Sequence, residues 1–364
     1  MQVPRRRSPF RCGQRSLSGF NCDGRLSIIR KTFIRNVLSA HSSRTAKALE
    51  LISEDMRAVD LVVSERLSSE VVLVSQVSRY IISAGGKRLR PALMLLMCGV
   101  LGYCGNQRYN LAAVVEFIHT ATLLHDDVVD GSTLRRGRAT ANEAFGNPAS
   151  VLVGDFLYSR AFQMMVDAGD MRIMQTLAEA TNVIAEGEVL QLINMHDASL
   201  SEEGYLRVVR SKTAKLFEAS ARLAALLAQV PEETERQCAQ YGQALGTAFQ
   251  VIDDVLDYDG DAAEMGKNLG DDLREGKATL PLIIAMQLGT DDERALIRLA
   301  IETGGDAQIG QVMTIVKKTG ALEATRITAA AEAQRALDAL HYLPQNRYSE
   351  ALAQLASQLL LRRA

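Results

Sequence analysis

Four aspartates, in two pairs, set the chemistry open to this chain. In Leu123-Leu124-His125-Asp126-Asp127-Val128-Val129-Asp130, Asp126 and Asp130 stand four residues apart and share one face of a helix. The pattern returns at Asp253-Asp254-Val255-Leu256-Asp257, again inside an apolar helical run. Carboxylates crowded together among leucines and valines raise each other's pKa unless a cation sits between them. A hard divalent ion with oxygen ligands removes the conflict, and Mg2+ usually takes phosphate as its other ligand. One such cluster reads as well as a solvated acidic helix face. Two clusters, each walled by apolar residues, favour metal.

Basic residues and glycines flank the first cluster. Gly85-Gly86-Lys87-Arg88-Leu89-Arg90-Pro91 lies upstream, and Gly131-Ser132-Thr133-Leu134-Arg135-Arg136-Gly137 follows. Arginine forks match phosphate oxygens, so acids for metal beside this set make an inventory for polyphosphate. Neither GxGxxG nor GxxxxGK[ST] occurs here, which excludes the Rossmann and P-loop readings.

The stretches GGKRLRP, HTATLLHDDVVD with GSTLRRG, Lys212-Thr213, and FQVIDDVLDY with GKNLGDDLREGKATLPL together resemble the trans-polyprenyl diphosphate synthases, in particular their long-chain bacterial branch. The likeness runs from about residue 45 to the C-terminus. It implies a Mg2+-dependent prenyltransferase that joins isopentenyl diphosphate to an allylic diphosphate. It further implies a homodimer and a long all-trans product for a quinone side chain. Octaprenyl leads among the products, with geranylgeranyl, nonaprenyl and decaprenyl as alternatives.

Site roles follow from the same resemblance. Asp126, Asp130 and Asp253 bind metal, with Asp127, Asp254 and Asp257 supporting them. Arg135 contacts the allylic diphosphate. Lys87, Arg90, His119 and Arg136 form a metal-free site for isopentenyl diphosphate. Lys212, Thr213 and Gln250 contact the diphosphate and shield the carbocation, and Lys267 closes over it. The departing diphosphate removes the final proton. Ala121 and Thr122, where the family places a bulky aromatic to stop growth early, leave a tunnel open, with Met165 as a floor. A terpene cyclase lacks the need for the Gly-Gly-Lys-x-x-Arg stretch and the second acidic cluster. A non-catalytic partner subunit lacks the acids.

The elements that must position these residues are helices. Of 364 residues 47% are apolar, there is no Trp and there are only 7 Pro, so helix is favoured over sheet. Helical periodicity marks 49–67, 71–84, 111–130, 149–168, 173–194, 205–227, 232–257 and most of 280–361. Gly85-Gly86 ends one helix, and Pro91 suits the first turn of the next. The expected fold is all-α, one domain over 45–364, a large bundle around a central apolar cavity.

Charge is uneven. Residues 1–48 carry a net +10 by count against −2 for the whole chain, leaving −12 for the rest. An acidic body argues against nucleic acid. Residues 1–44 read as a basic tail, a transit peptide or an upstream start. The expected location is cytoplasmic, or mitochondrial if 1–44 is a transit peptide. Five cysteines, Cys12, Cys22, Cys98, Cys104 and Cys238, show no zinc spacing and read as reduced. No apolar run is long enough to span a membrane; delivery of product at a membrane surface is a separate expectation.

Overall fold

Helices α1 (Ser53–Arg66), α2 (Val72–Ser83) and α3 (Leu89–Val100) open the chain in the computed structural model, which describes residues 49–260 and 269–362. The extension 1–44 and Lys267 lie outside the described residues. Helix α4 (Gln107–Val129) is apolar nearly all round. Leu111 to Val115, Phe117, Ile118, Ala121 and Leu124 are all fully buried in it, as expected of an inner helix. It packs on α1, on α3 and along α6 (Asn147–Asp167).

The connection after α4 contains a two-residue hairpin that strand periodicity could not show. Strands β1 (Leu134–Arg135) and β2 (Arg138–Ala139) pair antiparallel with Leu134 opposite Ala139. Arg136 and Gly137 turn it, both at positive φ (54° and 73°). That is the geometry two-residue hairpin loops favour. The short α5 (Ala141–Phe145) follows.

Helix α7 (Met171–Ile193) is followed by α8 (Glu202–Val209), a π-helical turn (Arg210–Ala214) and α9 (Lys215–Leu227). The π turn divides what apolar spacing reads as one helix over 205–227. Helix α10 (Glu232–Asp259) is the second inner helix, packed on α9 and along α15 (Ala321–Leu340). Its Cys238, Tyr241, Ala244, Leu245 and Ala248 belong to one apolar core. Its Val251, Ile252, Val255, Leu256 and Tyr258 belong to a second core with α12 (Leu280–Leu288), α13 (Asp291–Thr303), α14 (Ile309–Lys318) and α15. The short α11 (Asp271–Arg274) precedes α12, and α16 (Arg347–Leu359) closes the described chain against α3. The all-α expectation holds. Among the described residues no helix is long and apolar enough to cross a membrane.

Two glycines fix how closely the functional helices approach. A Cβ on Gly187 would stand 2.8 Å from the Lys212 backbone nitrogen, and one on Gly246 2.8 Å from Ala214 Cα. Both α7 and α10 therefore press their backbones on the π turn, which no larger residue would allow.

Candidate active site

One cavity of about 940 Å3 brings most of the expected residues together. Its wall includes Asp126 and Asp130 from α4, and Asp253, Asp254 and Asp257 from α10. Lys87, Arg90, His119, Thr122, Arg135, Arg136, Lys212, Thr213 and Gln250 line it as well. The two acidic clusters thus share one chamber, about 127 residues apart in sequence.

Asp126, Asp130 and Asp253, which open on the chamber, each meet a basic side chain. Lys277 Nζ lies 3.1 Å from Asp130 Oδ2 and also feels Asp272, tying the segment after α10 to the end of α4. Arg362 Nη1 donates to Asp253 Oδ1 (2.6 Å) while its guanidinium lies over Phe249. Lys212 Nζ sits 2.6 Å from Glu188 and 3.9 Å from Asp126. Burial, and then Asp130, push the Asp126 carboxyl above the usual range despite Lys212. Burial raises Glu188 to about 7.

Asp127 departs from the expectation of a supporting metal ligand. Neighbouring helical residues point about 100° apart, and Asp127 faces into the protein, fully buried. Arg135 holds both its oxygens: Nε to Oδ1 (2.9 Å) and Oδ2 (3.2 Å), Nη2 to Oδ1 (2.6 Å). Asp127 therefore aims Arg135 at the chamber. Asp254 is also engaged within the wall. Tyr205 O–H donates to its Oδ2 (2.5 Å) and Gln250 Nε2 to its Oδ1 (2.8 Å). Thr213 Oγ1 donates to Gln250 Oε1 (3.0 Å). This chain fixes which way the Gln250 amide points. Burial, and then Asp272, push Asp254 up to about 8.

The basic end of the chamber is strained and tightly packed. Arg88 caps α3 at φ 42° and Arg136 sits at φ 54°, conformations that L residues rarely adopt and that gather at functional sites. Gly86 sits at φ 148°, a backbone conformation that favours glycine. Arg90 Nη1 meets His119 Nε2 at 3.2 Å, and the Arg90 guanidinium lies 4.5 Å over the Phe217 ring. Burial, and then Arg90, hold His119 well below its ordinary pKa, so the imidazole is neutral and accepts from Arg90. Burial lowers Arg90 only to about 10, so it stays charged. Its Nε is buried without a hydrogen-bond partner.

The expected chain-length residues divide. Thr122 lines the chamber. Ala121 and Met165 do not; they are 0% and 1% exposed in the apolar core. Among the chamber residues that sequence reasoning missed are Glu116, Glu188, Lys277 and Arg362. Glu116 and Glu188 could have been found as acids inside largely apolar helical runs. Lys277 lay in a quoted stretch without being singled out. Arg362 carried no local signal.

Among the described residues no three His, Cys, Asp or Glu side chains converge closely enough to hold a metal alone. Mg2+ is usually held by one or two carboxylates plus substrate phosphates. Open carboxylates on two sides of one chamber fit that pattern.

The sequence model of the polyprenyl synthetase family matches residues 71–319. Octaprenyl diphosphate synthase of Escherichia coli (strain K12) is 52% identical over 311 residues, 85% of this chain and 96% of that protein. The crystal structure of a polyprenyl synthase from Caulobacter crescentus CB15, complexed with calcium and isoprenyl diphosphate, superposes with a TM-score of 0.86 at 43% identity. It covers 89% of this chain and all of that one. A decaprenyl diphosphate synthase from Rhodobacter capsulatus gives 0.83 at 47%, covering 88% and 99%. This chain belongs to the polyprenyl synthetase family.

Proposed function

We propose that the chain condenses isopentenyl diphosphate with an allylic diphosphate, in the presence of Mg2+, to a long all-trans polyprenyl diphosphate. The observation that carries this reading is one chamber whose wall holds carboxylates of both clusters together with Lys87, Arg90, Arg135, Arg136 and Lys212. Asp126, Asp130 and Asp253 would hold the divalent cations, which when bound neutralise the leaving diphosphate. Arg135, aimed by Asp127, and Lys212, steadied by Glu188, hold the allylic diphosphate. Lys87, Arg90, His119 and Arg136 take the second diphosphate without metal. Oxygens of Thr213 and Gln250 face the allylic cation, the Gln250 amide being locked through Asp254 and Tyr205. The growing tail runs down from Thr122 into the apolar core around Ala121 and Ile118.

An octaprenyl product, for a quinone side chain, is favoured by the relative at 52% identity. The test is incubation of the purified chain with Mg2+, farnesyl diphosphate and labelled isopentenyl diphosphate, then chromatography of the dephosphorylated product. A long polyprenol carries the reading; a cyclised hydrocarbon or no product sinks it.

The site would work in a cytoplasmic homodimer that releases product at a membrane surface. Support for the second copy comes from exposed apolar residues on α6 and α7: Leu152, Val166, Val189, Leu192 and Ile193 are 55–70% exposed. Light scattering that finds a monomer at micromolar concentration would refute the dimer.

A further inference from the structure

Glu116 stands apart from the acids of the metal clusters. It lies on α4 ten residues before Asp126, on the part of the chamber where Arg88, Arg90 and Arg136 gather. Arg88 and Arg90 face it from the start of α3, and Arg136 from the hairpin turn. His119, one turn along α4, is neutral. Arg88 also pairs with Asp60 of α1, so its guanidinium is shared. The Glu116 side chain is 13% exposed, with Oε1 3.9 Å from Arg88 Nε, beyond hydrogen-bond range. Its Oε2 is buried and has no hydrogen-bond partner. A buried carboxylate oxygen left unpaired is costly, and such an atom calls for an explanation. Arg90 Nε, buried and unpaired in the same chamber, calls for the same one.

Two requirements meet at this point. Without substrate, three guanidinium groups in a confined space repel one another, and an ionised Glu116 offsets part of that charge. With a diphosphate bound, the arginines have a better counter-ion, and an ionised Glu116 becomes a like charge beside it. Protonation resolves the second state. It removes the repulsion and turns Oε2 into a donor beside phosphate oxygens, all of which accept. Resting on the reading of this end of the chamber as the isopentenyl diphosphate site, we propose that Glu116 is ionised in the free enzyme and takes a proton from solvent when isopentenyl diphosphate binds. Binding of the second substrate is then linked to proton uptake at one positioning residue that touches no metal ligand. Burial already raises the Glu116 carboxyl above its ordinary range, against the pull of Arg88, Arg90 and Arg136.

Linkage fixes the sign. The bound state holds more protons, so affinity is greatest at low pH. It falls by up to about tenfold per pH unit between the free-site and bound-site pKa of Glu116, then levels off. Glu116→Gln mimics the protonated form and should remove this dependence.

The experiment is calorimetric titration of isopentenyl diphosphate into metal-free full-length enzyme, in buffers of different ionisation enthalpy, from pH 5.5 to 8.5. The substrate's own titration contributes equally to the wild-type and E116Q series, so the difference between them counts the protons at Glu116. The expected result is a difference approaching one proton near the middle of the window, with E116Q binding at least as tightly as wild type at high pH. Identical proton counts at every pH, or E116Q weakened alike at every pH, overturns the proposal. If E116Q fails to fold, wild type alone decides. Net uptake beyond the titration of the free substrate supports the linkage, and its absence overturns it. Arg90→Ala tests the underlying reading separately. If isopentenyl diphosphate binds R90A as well as wild type, the site is misplaced and the proposal falls with it. If binding needs Arg90 but the proton difference is zero, the proposal alone falls.

Discussion

Replacing Asp127 with alanine separates aiming from metal binding. Asp126 and Asp127 are adjacent and chemically identical, yet the structure gives them different work. Asp126 opens on the chamber, whereas Asp127 is fully buried and meets Arg135 through three short contacts. Removing one partner of a fully buried ion pair costs about 3–5 kcal/mol. Arg135 is 21% exposed and borders the chamber, so it can regain solvation. The loss therefore falls to the range of a charge-assisted hydrogen bond, about 1.5–3 kcal/mol. At 1.4 kcal/mol per decade, kcat/KM for the allylic diphosphate should drop roughly 10- to 150-fold. The Mg2+ concentration at half-maximal rate should hardly move. The assay varies farnesyl diphosphate at saturating isopentenyl diphosphate, then repeats the Mg2+ titration at fixed substrates. If D127A raises the Mg2+ requirement tenfold or more while sparing the allylic KM, Asp127 is a ligand and the assignment drawn from its burial is wrong.

Two further outcomes are expected. Ala121→Phe should shorten the product to about fifteen to twenty carbons while leaving the first condensation intact, because a phenyl ring there fills roughly one isoprene unit of a closely packed path at an overpacking cost of about 1–3 kcal/mol; an unchanged product length would show that the tail does not pass this residue. Glu188, raised to about 7, should make the metal-free enzyme less stable as pH rises from about 4.5 through 7, since its folded-state pKa lies above its unfolded one and its contribution is complete only below the latter. In a comparison of thermal unfolding across that window, Glu188→Gln should lose less stability than wild type; parallel curves would count against it.

The helices and the acidic clusters could be read from the chain because both leave local marks. An apolar run such as 111–124 has one structural meaning, and aspartates inside it must face something polar. What could not be read depends on angles and long-range packing. Asp126 and Asp127 differ only in which side of one helix turn they occupy. The π turn at 210–214 shifts register without changing the apolar pattern, so Lys212 and Thr213 could be named but not placed against Glu188 and Gln250. Glu116 did carry a signal, being a lone acid between Val115 and Phe117. A charged residue there is buried with its counter-ions, but the arginines that meet it come from separate elements. Arg362 reaches Asp253 across 109 residues, and no local pattern announces that contact.

The central claim is that both acidic clusters act on one diphosphate through divalent cations. Its most direct test is the condensation rate of Asp126→Ala and Asp253→Ala, each measured at saturating Mg2+ and both substrates. Each variant should lose a factor of about 10²–10³ or more in kcat, because the leaving group is no longer stabilised from one side of the chamber. Near-normal kcat in either variant would contradict the claim, for it would leave one cluster with no part in the chemistry.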